Sequence, residues 1–181
     1  DNLSPEVAIN YYINEDTSVY VAYKKAFKSG GIDNSALPTA SINPLSPTFE
    51  GFDALIYDSE EVDGFEIGLK SNLLDNNMRL NATYYKYEYT DLQVQLFDAA
   101  IIQFSTFNAG AVETEGFEAD LLWNTDIPGL TLRGQFAWTD ATNTGDFITP
   151  GGENLKGTDR SYSPEIAGSF GLSYDSSLSN G

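Results

Sequence analysis

The sequence contains no cysteine and no histidine. Without thiols there is no disulfide and no thiolate nucleophile, and without imidazole every triad built on a histidine base is excluded. The usual nitrogen and sulfur ligands of zinc, copper and iron are missing too, so no metal site and no cofactor are expected. Basic residues are scarce: 9 Lys and Arg stand against 27 Asp and Glu, a net charge of −18. A nucleic-acid binder needs a basic face to neutralise phosphates, so nucleic acid is not expected as a partner. The same scarcity argues against a basic patch for an anionic membrane surface. No apolar run approaches the ~18 residues a membrane helix needs. The opening D-N-L-S-P has no leader pattern.

What the chain does have is aromatic residues, with 11 Tyr and 11 Phe. Disordered chains are poor in them, so this one is built to order something. The clearest pattern lies between Asn108 and Asp140. Phe117, Ala119, Leu121 and Trp123 fall on one side of an alternating run, while Gly116, Glu118, Asp120 and Asn124 fall on the other. Leu122 is the one apolar exception on the second side. After the turn T-D-I-P-G, Leu130, Leu132, Gly134, Phe136 and Trp138 alternate with Thr131, Arg133, Gln135, Ala137 and Thr139. Strand side chains point to opposite faces in turn, so this period predicts a hairpin with one apolar and one wet face. Its strands are long, and their apolar rows end on tryptophan at opposite ends, which is the pattern of an outer-membrane barrel.

The rest of the chain follows suit. Alternation predicts strands over 6–14, 18–28 and 62–74, from Met78 onward, and over 164–174. Lys25 falls on an apolar row, as expected where that row has left the hydrocarbon. Ala99 to Phe107, A-A-I-I-Q-F-S-T-F, is compatible with either a returning strand or a loop. Short turns near Glu15, Asn76 and Pro128 alternate with longer connections at 29–60, 91–107 and 143–161. Bacterial outer-membrane barrels place tight turns in the periplasm and long loops outside. The fold class expected is therefore all-β, an antiparallel up-and-down transmembrane β-barrel. Lipid offers no partner to an edge strand, so about seven strands predict that residues 1–181 form part of a larger barrel domain.

Several stretches carry a family resemblance. They are S-P-E-V-A-I-N-Y at 4–11, V-Y-V-A-Y-K-K-A-F-K-S-G-G at 19–31, F-E-I-G-L-K-S at 65–71, L-N-A-T-Y-Y-K-Y-E-Y-T-D-L-Q-V at 80–94, N-A-G-A-V-E-T-E-G-F-E-A-D at 108–120 and S-P-E-I-A-G at 163–168. In order and spacing the set resembles the C-terminal barrel half of TonB-dependent outer-membrane receptors. The resemblance implies a roughly 22-stranded barrel, plugged by an N-terminal domain, in the outer membrane of a Gram-negative bacterium. It implies outer-membrane lipid as surroundings and an extracellular small-molecule ligand, often a ferric siderophore, taken up with energy passed on by TonB. It also implies that the plug, the TonB-contacting segment and the final strands with their terminal aromatic lie outside this sequence. Nothing in it points to an enzyme.

Other readings stay open here. A passive porin or structural barrel shares the alternation but not the motif set. A soluble β-sandwich binding module, for carbohydrate for example, would alternate similarly with shorter strands and no aromatic tips. Glu50, Asp53, Asp58, Glu60, Glu61 and Asp63 crowd one loop end, but without a calcium-loop spacing they read as a solvated acidic stretch. Glu113, Glu115, Glu118 and Asp120 could be paired for acid–base work; hydrated lumen charge explains them more simply. Phe104, Phe107, Phe147, Arg160 and Tyr162 lie in or beside the long loops, as a ligand grip or as an interfacial aromatic girdle. Among them Phe147, Arg160 and Tyr162 combine flat apolar surface with a fixed positive charge and are the candidate substrate-binding residues. The lumen side, with Gly116, Ser169, Gly171 and Ser173, is expected to offer little apolar grip.

Overall fold

A computed structural model describes residues 3–33, 44–45, 51–98, 102–149 and 152–176. One antiparallel sheet dominates it. Its strands are β1 (Glu6–Tyr12), β2 (Thr17–Lys28), β5 (Glu60–Leu73), β6 (Met78–Thr90), β9 (Val112–Asn124), β10 (Leu130–Asn143) and β11 (Ile166–Tyr174), and they neighbour one another in that order. The short pair β3 (Gly31–Ile32) and β4 (Ile56–Tyr57) lies within the first long connection, and β7 (Leu92–Asp98) with β8 (Gln103–Ala109) makes a separate hairpin within the second.

The register keeps every alternating row on its own side. Val21 lies opposite Ile67, Leu80 opposite Leu121, Phe117 opposite Trp138 and Gly134 opposite Phe170. One face is therefore apolar across all seven strands, and none of the described residues covers it. Ile9 and Phe170 remain 70% and 75% exposed. A β-sandwich would bury such a face under a second sheet, because water does not tolerate an apolar patch this wide. The buried apolar side chains sit elsewhere: Ala22 lies on the polar face of β2, and Leu55, Ala109, Val112 and Phe147 lie at the long-connection end.

The opposite end is made of tight turns with local causes. Ile13 N–H donates to Thr17 O at 2.9 Å, and Asn14 Oδ1 takes Asp16 N–H at 2.9 Å. Leu74, Asp75 and Asn76 all adopt positive φ, the backbone that a hairpin turn matched to strand twist requires. Gly129, at φ 83°, closes the third turn, where Leu130 N–H donates to Ile127 O at 3.0 Å.

Two expectations change. The stretch 91–107 is not a plain loop, because most of it forms the β7–β8 hairpin. The apolar rhythm of β6 does carry on past Thr90, but Asp91 at φ 52° turns the chain out of the main sheet. The polar face, moreover, is not uniformly small, as the next section describes.

Candidate functional site

At the loop end three connections meet around the β7–β8 hairpin. One hairpin face carries Val94 opposite Phe107, and the other carries Gln93 opposite Asn108. The Phe107 ring stacks on Phe147 of the third connection, with centroids 5.7 Å apart. Thr144 and Gly145 N–H groups donate to Ala111 O at 2.8 and 2.9 Å. A Cβ on Gly145 would stand 2.0 Å from Ala111 N, so only glycine permits this seam. On the other face Gln93 Nε2 donates to Ser29 O at 2.9 Å and Asp58 O at 3.0 Å, while its backbone N–H donates to Glu60 Oε2 at 2.9 Å. Asn108 takes Asp58 N–H at 2.7 Å and donates to Asp91 O at 2.7 Å. The three connections thus form one cap with the hairpin as its central piece.

The sequence candidates fall in different parts of this cap. Phe147 is 8% exposed and spends its ring on Phe107, so it builds the cap's interior. Arg160 is half-buried at the foot of the third connection, where its N–H donates to Ala141 O at 2.8 Å. Tyr162 is fully exposed, at φ 64°. No described contact joins the three. Phe104 meets Phe97 with ring centroids 5.2 Å apart and planes tilted by 57°. Of the acidic stretch, Glu61 pairs with Lys25 at 2.7 Å, and Asp63 takes the Tyr23 hydroxyl at 3.2 Å. Glu50 lies outside the described residues.

The third connection has its own hub. Asp146 accepts from Asn154 Nδ2 at 3.1 Å and from Lys156 Nζ at 3.0 Å. The Asn154 amide first, then the Lys156 ammonium, hold the Asp146 carboxyl below its ordinary 3.8. A carboxyl depressed in the folded state contributes stability above its unfolded pKa and loses it as pH falls through the folded one. Amide protection over residues 146–149 and 152–156, measured relative to the intrinsic exchange rate at each pH, should therefore fall below about pH 4 and stay level between pH 5 and 8. Protection that does not fall with acid would show that the hub does not hold the loop.

The polar face of the sheet carries a repeated device. Tyr20 lies opposite Gly68, which lies opposite Thr83, and the Tyr20 hydroxyl crosses the glycine to share a 3.1 Å hydrogen bond with Thr83. Tyr85, Gly116 and Thr139 repeat the arrangement, again at 3.1 Å. A Cβ on Gly68 would fall 2.1 Å from the Tyr20 ring, so the glycine is what lets the ring lie flat. Beside the first strap, Lys24 Nζ meets Glu66 at 2.9 Å, and the Tyr87 hydroxyl donates to the same carboxylate. Hence the polar face of β2, β5 and β6 is walled with ring faces whose hydroxyls are committed. The sequence offered the parity of these tyrosines but not their partners, which sit on neighbouring strands. Further along, Asn81 Nδ2 donates to both Asp120 oxygens at 3.1 and 3.0 Å, and a groove of about 680 Å³ opens between Arg79 and Arg133.

A family model described as "TonB dependent receptor-like, beta-barrel" matches residues 1–181. The chain belongs to this family. A probable TonB-dependent siderophore receptor, PiuA of Acinetobacter baumannii, is 27% identical over 121 residues, 67% of this chain and 15% of that relative. The solved structure of the siderophore receptor PiuA from the same species superposes with a TM-score of 0.66 at 21% identity, covering 94% of this chain and 23% of that one. The ferripyoverdine receptor of Pseudomonas aeruginosa gives 0.63 at 18% identity, with 97% and 21% covered. The ferric yersiniabactin uptake receptor FyuA of Yersinia pestis gives 0.62 at 16%, with 90% and 21% covered. The chain thus spans under a quarter of each of these proteins, and the solved structures establish the fold.

In a receptor barrel the exposed apolar face is the lipid face and the polar face is the lumen wall. Tyr23 pairs with Phe65, and one register step away Tyr84, Phe117 and Trp138 lie side by side, so aromatic rings form a border to the lipid face at the loop side. Just beyond it Lys25 pairs with Glu61, and Lys86 with Glu113 at 2.8 Å. Charge on the lipid-side rows resumes where the hydrocarbon stops, as Lys25 suggested.

Proposed function

We propose that this chain is a wall segment of a closed TonB-dependent receptor barrel in a Gram-negative outer membrane, working in the energised uptake of a ferric siderophore or a similar chelate. The observation that carries the reading is a continuous lipid face backing a polar lumen wall, in a chain that belongs to the receptor-barrel family from end to end. The loop cap is the surface offered to an extracellular ligand, and Phe147, Arg160 and Tyr162 are its proposed contact or supporting residues. Phe147 acts by holding the cap together, while Arg160 supplies a fixed positive charge and Tyr162 an exposed ring.

The test is uptake of iron-55 chelate by iron-starved cells that carry the whole receptor. Uptake should saturate, and it should stop when TonB is deleted or the proton-motive force is collapsed, while surface binding persists. Uptake that is unsaturable and indifferent to TonB would instead make the barrel a passive pore. Orientation is checked separately. An epitope tag near Pro150 should label on intact cells, and one at Asn76 only after permeabilisation. The reverse pattern would invert the topology.

A further inference from the structure

Between Thr114 and Asn124, Leu122 is the one apolar side chain that breaks the hydrated row of β9, and its neighbours give it a use. Arg79 of β6 lies directly opposite Leu122 on one side, and Arg133 of β10 lies directly opposite it on the other. The three share the lumen side of one cross-strand row. Two interstrand spacings of about 4.8 Å put the arginine backbones about 10 Å apart, with the leucine between them. Lys70 stands one row up on β5, its ammonium 5.6 Å from the centre of the flat Tyr20 ring.

Lys24, Lys25, Lys86 and Lys156 each hold a carboxylate. Among the described residues the side chains of Lys28, Lys70, Arg79, Arg133 and Arg160 form no ion pair, although the chain carries three acids for every base, and of these five only Arg79 and Arg133 flank one residue in a single cross-strand row. The one carboxylate lining the groove with the two arginines is Asp120, and its oxygens accept from the Asn81 amide and from neither guanidinium. The groove therefore presents two free guanidinium groups either side of an aliphatic floor. Guanidinium groups bind carboxylates, sulfonates and phosphates in two-toothed fashion, and an apolar floor between them selects a flat body over a compact ion.

We propose that Arg79, Leu122 and Arg133, with Lys70 at their edge, form a binding site on the lumen wall for a flat polyanionic solute, near the short-turn mouth of the barrel. The site deepens the uptake reading and rests on its assignment of the polar face to the lumen. It lies below the loop cap, on the path a solute takes after leaving the outer surface. The solute's ring system lies on Leu122, and its anionic groups reach an arginine at each side.

The probe is pyranine, a flat pyrene carrying three sulfonates, titrated by fluorescence against the whole receptor in detergent. Binding should saturate. Arg79→Gln with Arg133→Gln should weaken it about ten-fold or more, the scale of one charge-assisted pair. Arg79→Lys with Arg133→Lys should restore part of the loss, and Leu122→Asn should weaken binding with both arginines intact. Citrate, equally charged but not flat, should compete only at much higher concentration. Heat-modifiable gel mobility confirms that each variant is assembled. Equal pyranine affinity in wild type and the double glutamine variant overturns the site. So does binding that emerges only when the lumen-filling domain is removed, because the row then serves that domain. If pyranine binds as expected while no ferric chelate is taken up, the transport reading falls and the site stands.

Discussion

Leu121→Arg should abolish assembly of the receptor in the outer membrane, while Asp120→Asn, one residue away, should leave it intact. Leu121 lies between Leu80 and Gly134 in the middle of the apolar face. A Cβ at Gly134 would only just touch the Leu121 Cβ, at 4.0 Å, so Leu121 covers bare backbone there. An arginine at this point faces acyl chains with no side chain on Gly134 to shield it. Such a charge at the bilayer midplane costs roughly 2–4 kcal/mol on the lipid face. Asp120 points the other way, into water, and takes both its hydrogen bonds from Asn81. An asparagine keeps one acceptor oxygen in that place. Heat-modifiable gel mobility of outer-membrane fractions reads both variants, and equal assembly would mean that the faces are assigned the wrong way round.

Deleting residues 144–159 should lower ligand affinity about ten-fold or more, the loss of roughly 1.4 kcal/mol of contact, and leave the barrel assembled. The geometry at the loop's foot is what separates the two effects. Gly157 N–H donates to Asn143 O, and Asn143 N–H donates to Thr158 O at 2.9 Å, so the loop leaves and re-enters at nearly one point. Arg160 N–H meets Ala141 O at 2.8 Å. A short link from Asn143 to Arg160 therefore need not pull β10 from its partners. The deletion does remove Phe147 and strips the cover from Phe107, so the cap loses its shared interior as well as any direct contact. Binding of iron-labelled chelate to cells at matched receptor density is the measurement. Unchanged affinity would remove this connection from the ligand surface.

The strands were legible because each obeys a rule that is local to itself. Phe117 to Trp123 and Leu130 to Trp138 show their faces without any knowledge of what they pair with, and the register confirms those faces. The hairpin of β7 and β8 was half legible: the returning strand left open for 99–107 is present as β8, but the separation of β7 from β6 was hidden, for a reason that sits in one residue. Leu92, Val94 and Leu96 continue a believable strand rhythm, and the break is a backbone angle at Asp91 that composition does not announce. The cap was hidden for a different reason. Gln93 looks like an ordinary polar residue until Ser29 and Asp58, far off in sequence, are found under its amide. The tyrosines of the lumen wall belong to the same class. Tyr20 has the parity of a lumen residue, but the glycine that lets it lie flat and the threonine that receives its hydroxyl come from two other strands.

The paired tyrosine straps also bear on how such a wall comes apart. β6 takes part in both, offering Thr83 to one and Tyr85 to the other. A strap is complete only when three successive strands are in place, and a two-residue slip of any one of them breaks it. Peeled from the β11 edge by a force probe, the wall should resist once when β10 leaves with Thr139 and again when β6 leaves with Thr83. Only a pull applied to β6 itself must undo both straps in a single event.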